Sequence, residues 1–200
     1  MKKTITIMAM TAALLMSTTS DARAGGQRAD HRSGGHNKQA NVARELAELR
    51  RATAGYRRLS NALDDGYEAF AIPPEVGGTP TAGLGLVGDP TCFDDAAGGM
   101  GVHYVKGIDG DVNANDPEAV VYKITSGGRL KLVGVEYIVP DNLVDPADPP
   151  ILFGQEFHHH PYLPVYILHV WAWKYNPSGL FADFNPRVGA CPAPVPSAST

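Results

Sequence analysis

Mainly apolar positions recur at spacings of three and four residues between about Lys38 and Asp65. The recurring residues are Val42, Leu46, Leu49, Thr53, Tyr56, Leu59 and Leu63. Such spacings place side chains on one side of an α-helix. Gly66 follows at a position that is typical of a helix end. The pattern predicts an amphipathic N-terminal helix that packs on a sheet.

The pattern becomes strand-like after Gly101, with short runs of β-branched and aromatic residues between turn signals. Strands are predicted near residues 102–105, 119–124, 130–139 and 166–173. The sequence Thr-Ser-Gly-Gly-Arg at 125–129 separates two of them and is typical of a hairpin turn. The predicted fold class is α+β, in which the N-terminal helix packs on a mainly antiparallel sheet or partial barrel.

The two ends of the chain differ in composition from this region. Residues 1–24 begin with lysines, continue through a short apolar run and end in Ala-Arg-Ala, which is typical of a secretory signal peptide. Residues 25–37 are polar and Gly-rich, and residues 192–200 are rich in Pro, Ser and Ala, so both segments are predicted to be disordered. Residues 38–191 are predicted to form a single exported domain, in the periplasm or outside the cell.

The charge of the chain narrows the classes of function. Removal of residues 1–24 from the 200-residue chain would leave 14 basic and 20 acidic residues, a formal net charge of −6. Proteins that bind nucleic acid usually carry a basic surplus, so nucleic acid is not an expected partner. After residue 24 no apolar run of the sequence reaches the roughly 20 residues that a membrane span needs. The mature chain is therefore expected to be soluble.

The two cysteines, Cys92 and Cys191, are expected to form a disulfide, because an exported chain with an even number of cysteines usually pairs them. A catalytic or metal-binding thiolate is the alternative, but neither cysteine has a Cys-x-x-Cys partner or an adjacent histidine. Models of loop entropy assign roughly 4–5 kcal/mol to closing a loop of about 100 residues.

Three ionisable residues lie in the middle of strand-like runs: His103, Glu136 and His169. His169 alternates with Ile167 and Trp171, so its imidazole shares an apolar face of the predicted strand. Buried ionisable groups cost free energy unless they are paired or bound to metal, which suggests one shared site. Two imidazoles and one carboxylate can bind zinc, copper or iron. The alternative is that each residue is satisfied separately, by an arginine or by backbone carbonyl groups.

The run of three histidines at 158–160 is a second candidate metal site. In an extended segment His158 and His160 share a face and could bind zinc, copper or nickel. Pro161 and Pro164 follow the run and place it in a loop before the strand of His169. An exposed loop that holds no metal is the alternative.

Three blocks of this sequence resemble a family of exported bacterial proteins. The blocks are Met-Gly-Val-His-Tyr-Val at 100–105, Leu-Val-Gly-Val-Glu-Tyr at 132–137, and Leu-His-Val-Trp-Ala-Trp-Lys-Tyr-Asn-Pro-Ser-Gly-Leu-Phe at 168–181. The resemblance extends from Ala54 to Cys191 and implies one exported domain. The family has no assigned function, so the resemblance implies no catalytic role. The first three candidate residues lie inside the blocks, and residues 158–160 lie outside them.

The sequence supports three hypotheses of function. The first is an exported soluble domain that binds a small ligand or a divalent transition metal through His103, Glu136 and His169. The second is a metal-dependent hydrolase or oxygenase in which these residues bind the ion and water takes an open position. The third is an envelope structural or interaction protein without a small-molecule site. Separations above about 10 Å among the three side chains would favour the third hypothesis, because metal–ligand bonds are only about 2 Å long.

Overall fold

The structure is a computed structural model that describes the backbone of residues 27–193 and the side chains of residues 39–193. The predicted signal peptide and most of the predicted C-terminal tail lie outside these residues. The chain divides into two units between Asn37 and Lys38. The first unit contributes helical backbone from Gln27, and the sheet and the candidate site belong to the second unit.

The helical region is interrupted at Thr53, so the prediction of one helix from about Lys38 to Asp65 is wrong. The helices are α1 (Gln27–Ala52), a 3₁₀ helix (Ala54–Arg57), α2 (Leu59–Asp64) and a second 3₁₀ helix (Asp141–Leu143). The Thr53 hydroxyl donates to the carbonyl of Leu49 at 2.8 Å, and such back-bonding competes with regular helix. Helical backbone also begins before the predicted start, within the segment predicted as an arm. The composition did not predict helix before Lys38, because Gly34 and Gly35 are poor helix formers.

The sheet is antiparallel throughout, which confirms the predicted α+β class. The strands are β1 (Glu68–Ala69), β2 (Cys92–Asp95), β3 (Gly98–Val105), β4 (Ala119–Ile124), β5 (Leu130–Pro140), β6 (Ile151–Leu152), β7 (Gln155–Glu156), β8 (His158–His159) and β9 (Val165–Val170). The strand order is β1–β3–β4–β5–β9–β8, with β2 also paired to β3 and with β6 and β7 forming a separate pair. Within residues 27–193 this sheet is open, so the structure shows no closed barrel.

The four predicted strands correspond to β3, β4, β5 and β9, and the main difference lies at the end of β9. This strand ends at Val170, earlier than the predicted end at residue 173. The backbone N–H of Trp171 donates to the carbonyl of Leu180 rather than to a strand neighbour. Within the described residues, no helix combines the length and the hydropathy that crossing a bilayer requires.

One face of the sheet forms the main hydrophobic core, to which Leu46 and Leu49 of α1 also belong. Its buried sheet residues include Val102, Tyr104, Val120, Tyr122, Val135, Tyr137, Leu168 and Val170. Three tyrosine hydroxyls on this face donate to backbone carbonyls: Tyr104 to Val87 at 2.9 Å, Tyr122 to Tyr56 at 2.6 Å, and Tyr137 to Ala114 at 2.7 Å. The polar atoms of this face are thus paired, as buried hydroxyls usually are.

The opposite face carries two smaller apolar clusters, and the candidate site residues separate them along the strands. One cluster contains Ala119, Ile138 and Ile167, and the other contains Val121, Val133 and Trp171. Along β5, Glu136 lies between Val133 and Ile138, and along β9, His169 lies between Ile167 and Trp171. This face therefore combines apolar packing with three ionisable side chains.

The predicted disulfide is confirmed. Cys92 in β2 and Cys191 in the C-terminal segment are bonded, with 5.8 Å between their Cα atoms. The backbone N–H of Cys191 also donates to Oδ2 of Asp94 at 2.9 Å. Both contacts fix the C-terminal segment against β2.

Candidate metal centre

The structure brings together His103, Glu136 and His169, which come from three different strands. Glu136 on β5 and His169 on β9 are direct partners across the sheet, whereas β4 lies between Glu136 and His103 on β3. Nε2 of His103 lies 3.6 Å from Oε2 of Glu136, and Nδ1 of His169 lies 4.0 Å from Oε1 of Glu136. One ligand atom from each residue lies within 4.8 Å of the others. The three side chains therefore converge across four adjacent strands.

A glycine and a β-bulge help to make this convergence possible. Val121 of β4 pairs with Gly134 and Tyr122 pairs with Leu132, so Val133 is an extra residue on β5. A bulge of this kind bends a strand and re-aims its side chains. A Cβ atom on Gly134 would lie 3.3 Å from Nε2 of His169 and 2.8 Å from the carbonyl oxygen of Val170. The absence of a side chain at Gly134 therefore leaves space for β9 and for the imidazole.

The three side chains are buried, and the imidazoles have no hydrogen-bond partners. The exposed fractions are 3% for His103, 7% for Glu136 and 0% for His169. Neither ring nitrogen of His103 nor either ring nitrogen of His169 forms a hydrogen bond with the protein. Leaving a buried polar group unpaired typically costs about 1–3 kcal/mol. An ion placed between the three residues could take one nitrogen from each ring, since each residue offers one ligand atom.

Burial controls the protonation of the three residues. Burial raises the pKa of Glu136, and the nearby Asp183 carboxylate adds to this rise. Burial lowers the pKa of His103 and that of His169, and the two imidazoles are also close to each other. The neutral imidazole is the form that binds a metal ion. A divalent cation bound between the three residues would stabilise the ionised form of Glu136, because its positive charge would lie beside the carboxylate.

The separations between the donor atoms are near those of a bound transition metal. Donors bonded to zinc at about 2.0–2.2 Å lie roughly 3.3–3.6 Å from one another in tetrahedral geometry. The 3.6 Å between His103 and Oε2 of Glu136 lies at the upper end of this range. The 4.0 Å between His169 and Oε1 of Glu136, and the limit of 4.8 Å for the whole set, require the side chains to move inward around an ion. The arrangement could therefore hold a metal ion.

Aromatic side chains fix the orientation of both imidazoles. The Trp171 ring stacks on His169 with 4.4 Å between ring centroids and 28° between planes. The Phe93 ring meets His103 edge to face at 5.7 Å. Such contacts restrict ring rotation without using the ring nitrogens, which therefore remain available to a ligand.

A cavity of about 760 Å³ lies beside the centre, and His103 and Glu136 are part of its wall. The remaining wall comes from the segment after β1, from β2, from residues 160–165 and from the C-terminal segment around Phe184. His169 is not part of the wall. An ion bound by the three residues would therefore face the cavity on the side of His103 and Glu136.

The second candidate site, the histidine run, is arranged differently. Nε2 of His158 contacts Asp183 at 3.1 Å, and Nε2 of His159 contacts Asp141 at 2.8 Å. Nδ1 of His160 accepts the backbone N–H groups of residues 162 and 163. The three-residue group that could hold a metal in the described part of the chain does not include His158 or His160. A metal site at the run stays a prediction.

Sequence reasoning missed Asp183, which is half-buried near the centre and lines the cavity. Hydrogen bonding to His158 helps to hold the pKa of Asp183 below its usual range even though burial opposes this shift. Asp183 follows no strand or helix pattern, so its sequence context indicated only a surface loop. The features of the sequence that could have indicated an ordered loop around Asp183 were the Asn-Pro pairs at 176–177 and 185–186. In the structure Asn176 and Asn185 are buried and donate to backbone carbonyls in this loop.

Comparison with known proteins gives no matching family, no significantly similar curated protein and no significantly similar solved structure. The resemblance to exported bacterial proteins therefore stays a prediction.

Proposed function

We propose that the protein is an exported domain that binds one divalent transition-metal ion through His103, Glu136 and His169. Zinc, copper and iron are the candidate ions, because two imidazoles and one carboxylate suit all three. The observation that carries the proposal is that one ligand atom from each of three buried residues lies within 4.8 Å of the others, while neither imidazole has a hydrogen-bond partner in the protein. A core built only for stability would pair these atoms or replace them with apolar groups.

The geometry favours this proposal over a protein without a small-molecule site. Ligand atoms within 4.8 Å of one another are far closer than the separation of about 10 Å that would exclude a common ion. A small organic ligand held directly by the three polar groups is the related alternative. Metal analysis separates the two cases.

A metal-dependent hydrolase or oxygenase is a second candidate, and the cavity is the observation that favours it. Catalytic metal sites keep one coordination position open for water or substrate. The wall formed by His103 and Glu136 gives the proposed ion such access.

The first test is metal analysis and thermal unfolding of the mature protein. We expect stoichiometric zinc, copper or iron after purification or reconstitution, and a melting temperature that rises when that ion is added. At a concentration one hundred times Kd, binding adds about 2.7 kcal/mol to the free energy of unfolding. For a domain of this size, this corresponds to an increase of roughly 5–11 °C.

Two variants show whether the ion binds at this centre. His169→Ala should abolish stoichiometric binding, whereas His159→Ala should retain it, because His159 is half-exposed and lies outside the group. A wild-type melt that no metal raises would contradict the proposal, particularly if His169→Ala is also grossly destabilised. That pair of results would assign His169 a packing role.

A further inference from the structure

The cavity beside the centre exposes apolar side chains on a concave surface. Phe70, Ile72, Phe93, Leu163 and Phe184 line it, and each of them is only half-buried. A volume of about 760 Å³ lies within the range of roughly 300–1,000 Å³ that is typical of small-molecule sites. Apolar surface that is left accessible in a concavity of this size is typical of a binding site.

The charge of the wall restricts which molecules can enter. Four acidic residues line the cavity, namely Asp94, Asp95, Glu136 and Asp183, and none of the described lining residues is Lys or Arg. The two positive charges of a divalent ion at the centre would be outnumbered by the formal charge of these four acidic residues. An anionic ligand would therefore meet like charge, which opposes binding.

Two buried polar groups of the cavity wall, His103 and Glu136, lie 3.6 Å apart. His103 is 3% exposed, has two unpartnered ring nitrogens and forms part of the wall beside Glu136. His160 also lines the cavity. Because Nδ1 of His160 accepts two backbone N–H groups, a neutral His160 ring carries its proton on Nε2 and can donate it to an oxygen atom. These anchors suit one polar atom on an otherwise apolar molecule.

We infer that this cavity binds a neutral, mainly apolar small molecule, such as an alcohol, phenol or ketone, whose oxygen atom lies at the metal centre beside His103 and Glu136. The inference rests on the proposed metal site and adds the chemical class of the ligand. In this inference the apolar wall contacts the body of the molecule, and the acidic residues of the wall repel ligands that carry a carboxylate.

The test uses calorimetric titration of the mature protein, first with Zn²⁺ and then with two aromatic probes of similar size. The probes are 2-naphthol, a phenol that is neutral near pH 7, and the anion 2-naphthoate. We expect 2-naphthol to bind more tightly to the zinc-loaded protein than to the zinc-free protein. We expect 2-naphthoate to bind the zinc-loaded protein at least about tenfold more weakly, which corresponds to one unfavourable charge contact.

Matched variants assign binding to this cavity. Ile72→Ala removes apolar wall and should weaken 2-naphthol binding by roughly five- to tenfold. The control Ile151→Ala should change nothing, because Ile151 is exposed and lies outside the cavity. Asp95→Asn combined with Asp183→Asn should reduce the discrimination against 2-naphthoate at least about threefold, since each substitution removes one negative charge from the wall.

The titrations separate the inference from the proposed function. Zinc binding without 2-naphthol binding overturns the inference and leaves the metal proposal intact. If zinc, copper and iron all fail to bind, both the inference and the metal proposal are overturned. The inference also fails if 2-naphthoate binds as tightly as 2-naphthol, if zinc has no effect on 2-naphthol affinity, or if Ile72→Ala and Ile151→Ala behave alike.

Discussion

Gly134 is the position at which one added methyl group tests the packing of the candidate metal centre. A Cβ atom there would lie 2.8 Å from the carbonyl oxygen of Val170 and 3.3 Å from Nε2 of His169. The first distance is shorter than real Cβ atoms show, and it involves backbone of β9. Gly134→Ala therefore requires β9 to move or the His169 ring to turn.

The expected cost follows from these two contacts. Gly134 is not among the residues with positive φ, so alanine meets no backbone penalty and the effect is one of overpacking. Overpacking by one methyl group typically lowers the free energy of unfolding by about 1–3 kcal/mol. Displacing the support of a metal ligand typically lowers metal affinity by roughly 10–100-fold. We expect both effects in the Gly134→Ala variant.

The assay is urea unfolding of a protein that begins at Gly25, with EDTA and with excess Zn²⁺, together with zinc titration. Gly127→Ala is the matched control, because a Cβ atom on Gly127 meets nothing within 4 Å and its φ is not positive. Gly127→Ala should keep zinc affinity and change the free energy of unfolding by less than about 1 kcal/mol, in the stabilising direction. If the two variants unfold alike and bind zinc alike, the proposed contact of Gly134 with the centre is refuted.

Two further predictions concern the disulfide and a buried carboxyl group. Replacing Cys92 and Cys191 with serine should lower the free energy of unfolding by up to about 4–5 kcal/mol, because the two cysteines are 99 residues apart. A loss below about 1 kcal/mol, measured by urea unfolding, would contradict this prediction. Burial raises the pKa of Glu118 to about 7, although its Oε2 accepts the backbone N–H of Ile138. The folded chain thus keeps this proton at higher pH than the unfolded chain does, so the contribution of Glu118 to stability should fall as pH rises from about 4.5 to about 7. Glu118→Gln should remove on the order of 2 kcal/mol of that decline, and an unchanged pH profile of urea unfolding would disprove the assignment.

The local patterns in the sequence predicted the strands of the site better than their arrangement. Short runs of β-branched and aromatic residues identified the strand-like settings of His103, Glu136 and His169, and both faces of these strands are largely buried. The sequence could not predict that β4 lies between His103 and Glu136, since strand order and register depend on contacts between distant segments. The extra residue at Val133 was equally invisible, because a bulge appears only when one strand is aligned with its neighbour.

One local contact and two long-range contacts account for the other differences. The apolar spacing of the N-terminal region continues past Thr53, but the bond from its hydroxyl to Leu49 accompanies the end of α1. The histidine run gave no indication that Asp183 and Asp141 would engage two of its members. Such pairings join residues that are far apart in the sequence, and no local pattern contains them.

The topology of the sheet determines when the site becomes complete during folding. β3, β4 and β5 form a meander joined by residues 106–118 and 125–129, whereas β9 reaches β5 only after residues 141–164. Pairing across a longer connection has a larger entropic cost of loop closure and tends to form later. A chain with an intact meander but an undocked β9 holds His103 and Glu136 and lacks His169. An ion that needs all three ligands would thus bind only after β9 has docked, and its binding would stabilise this long-range pairing.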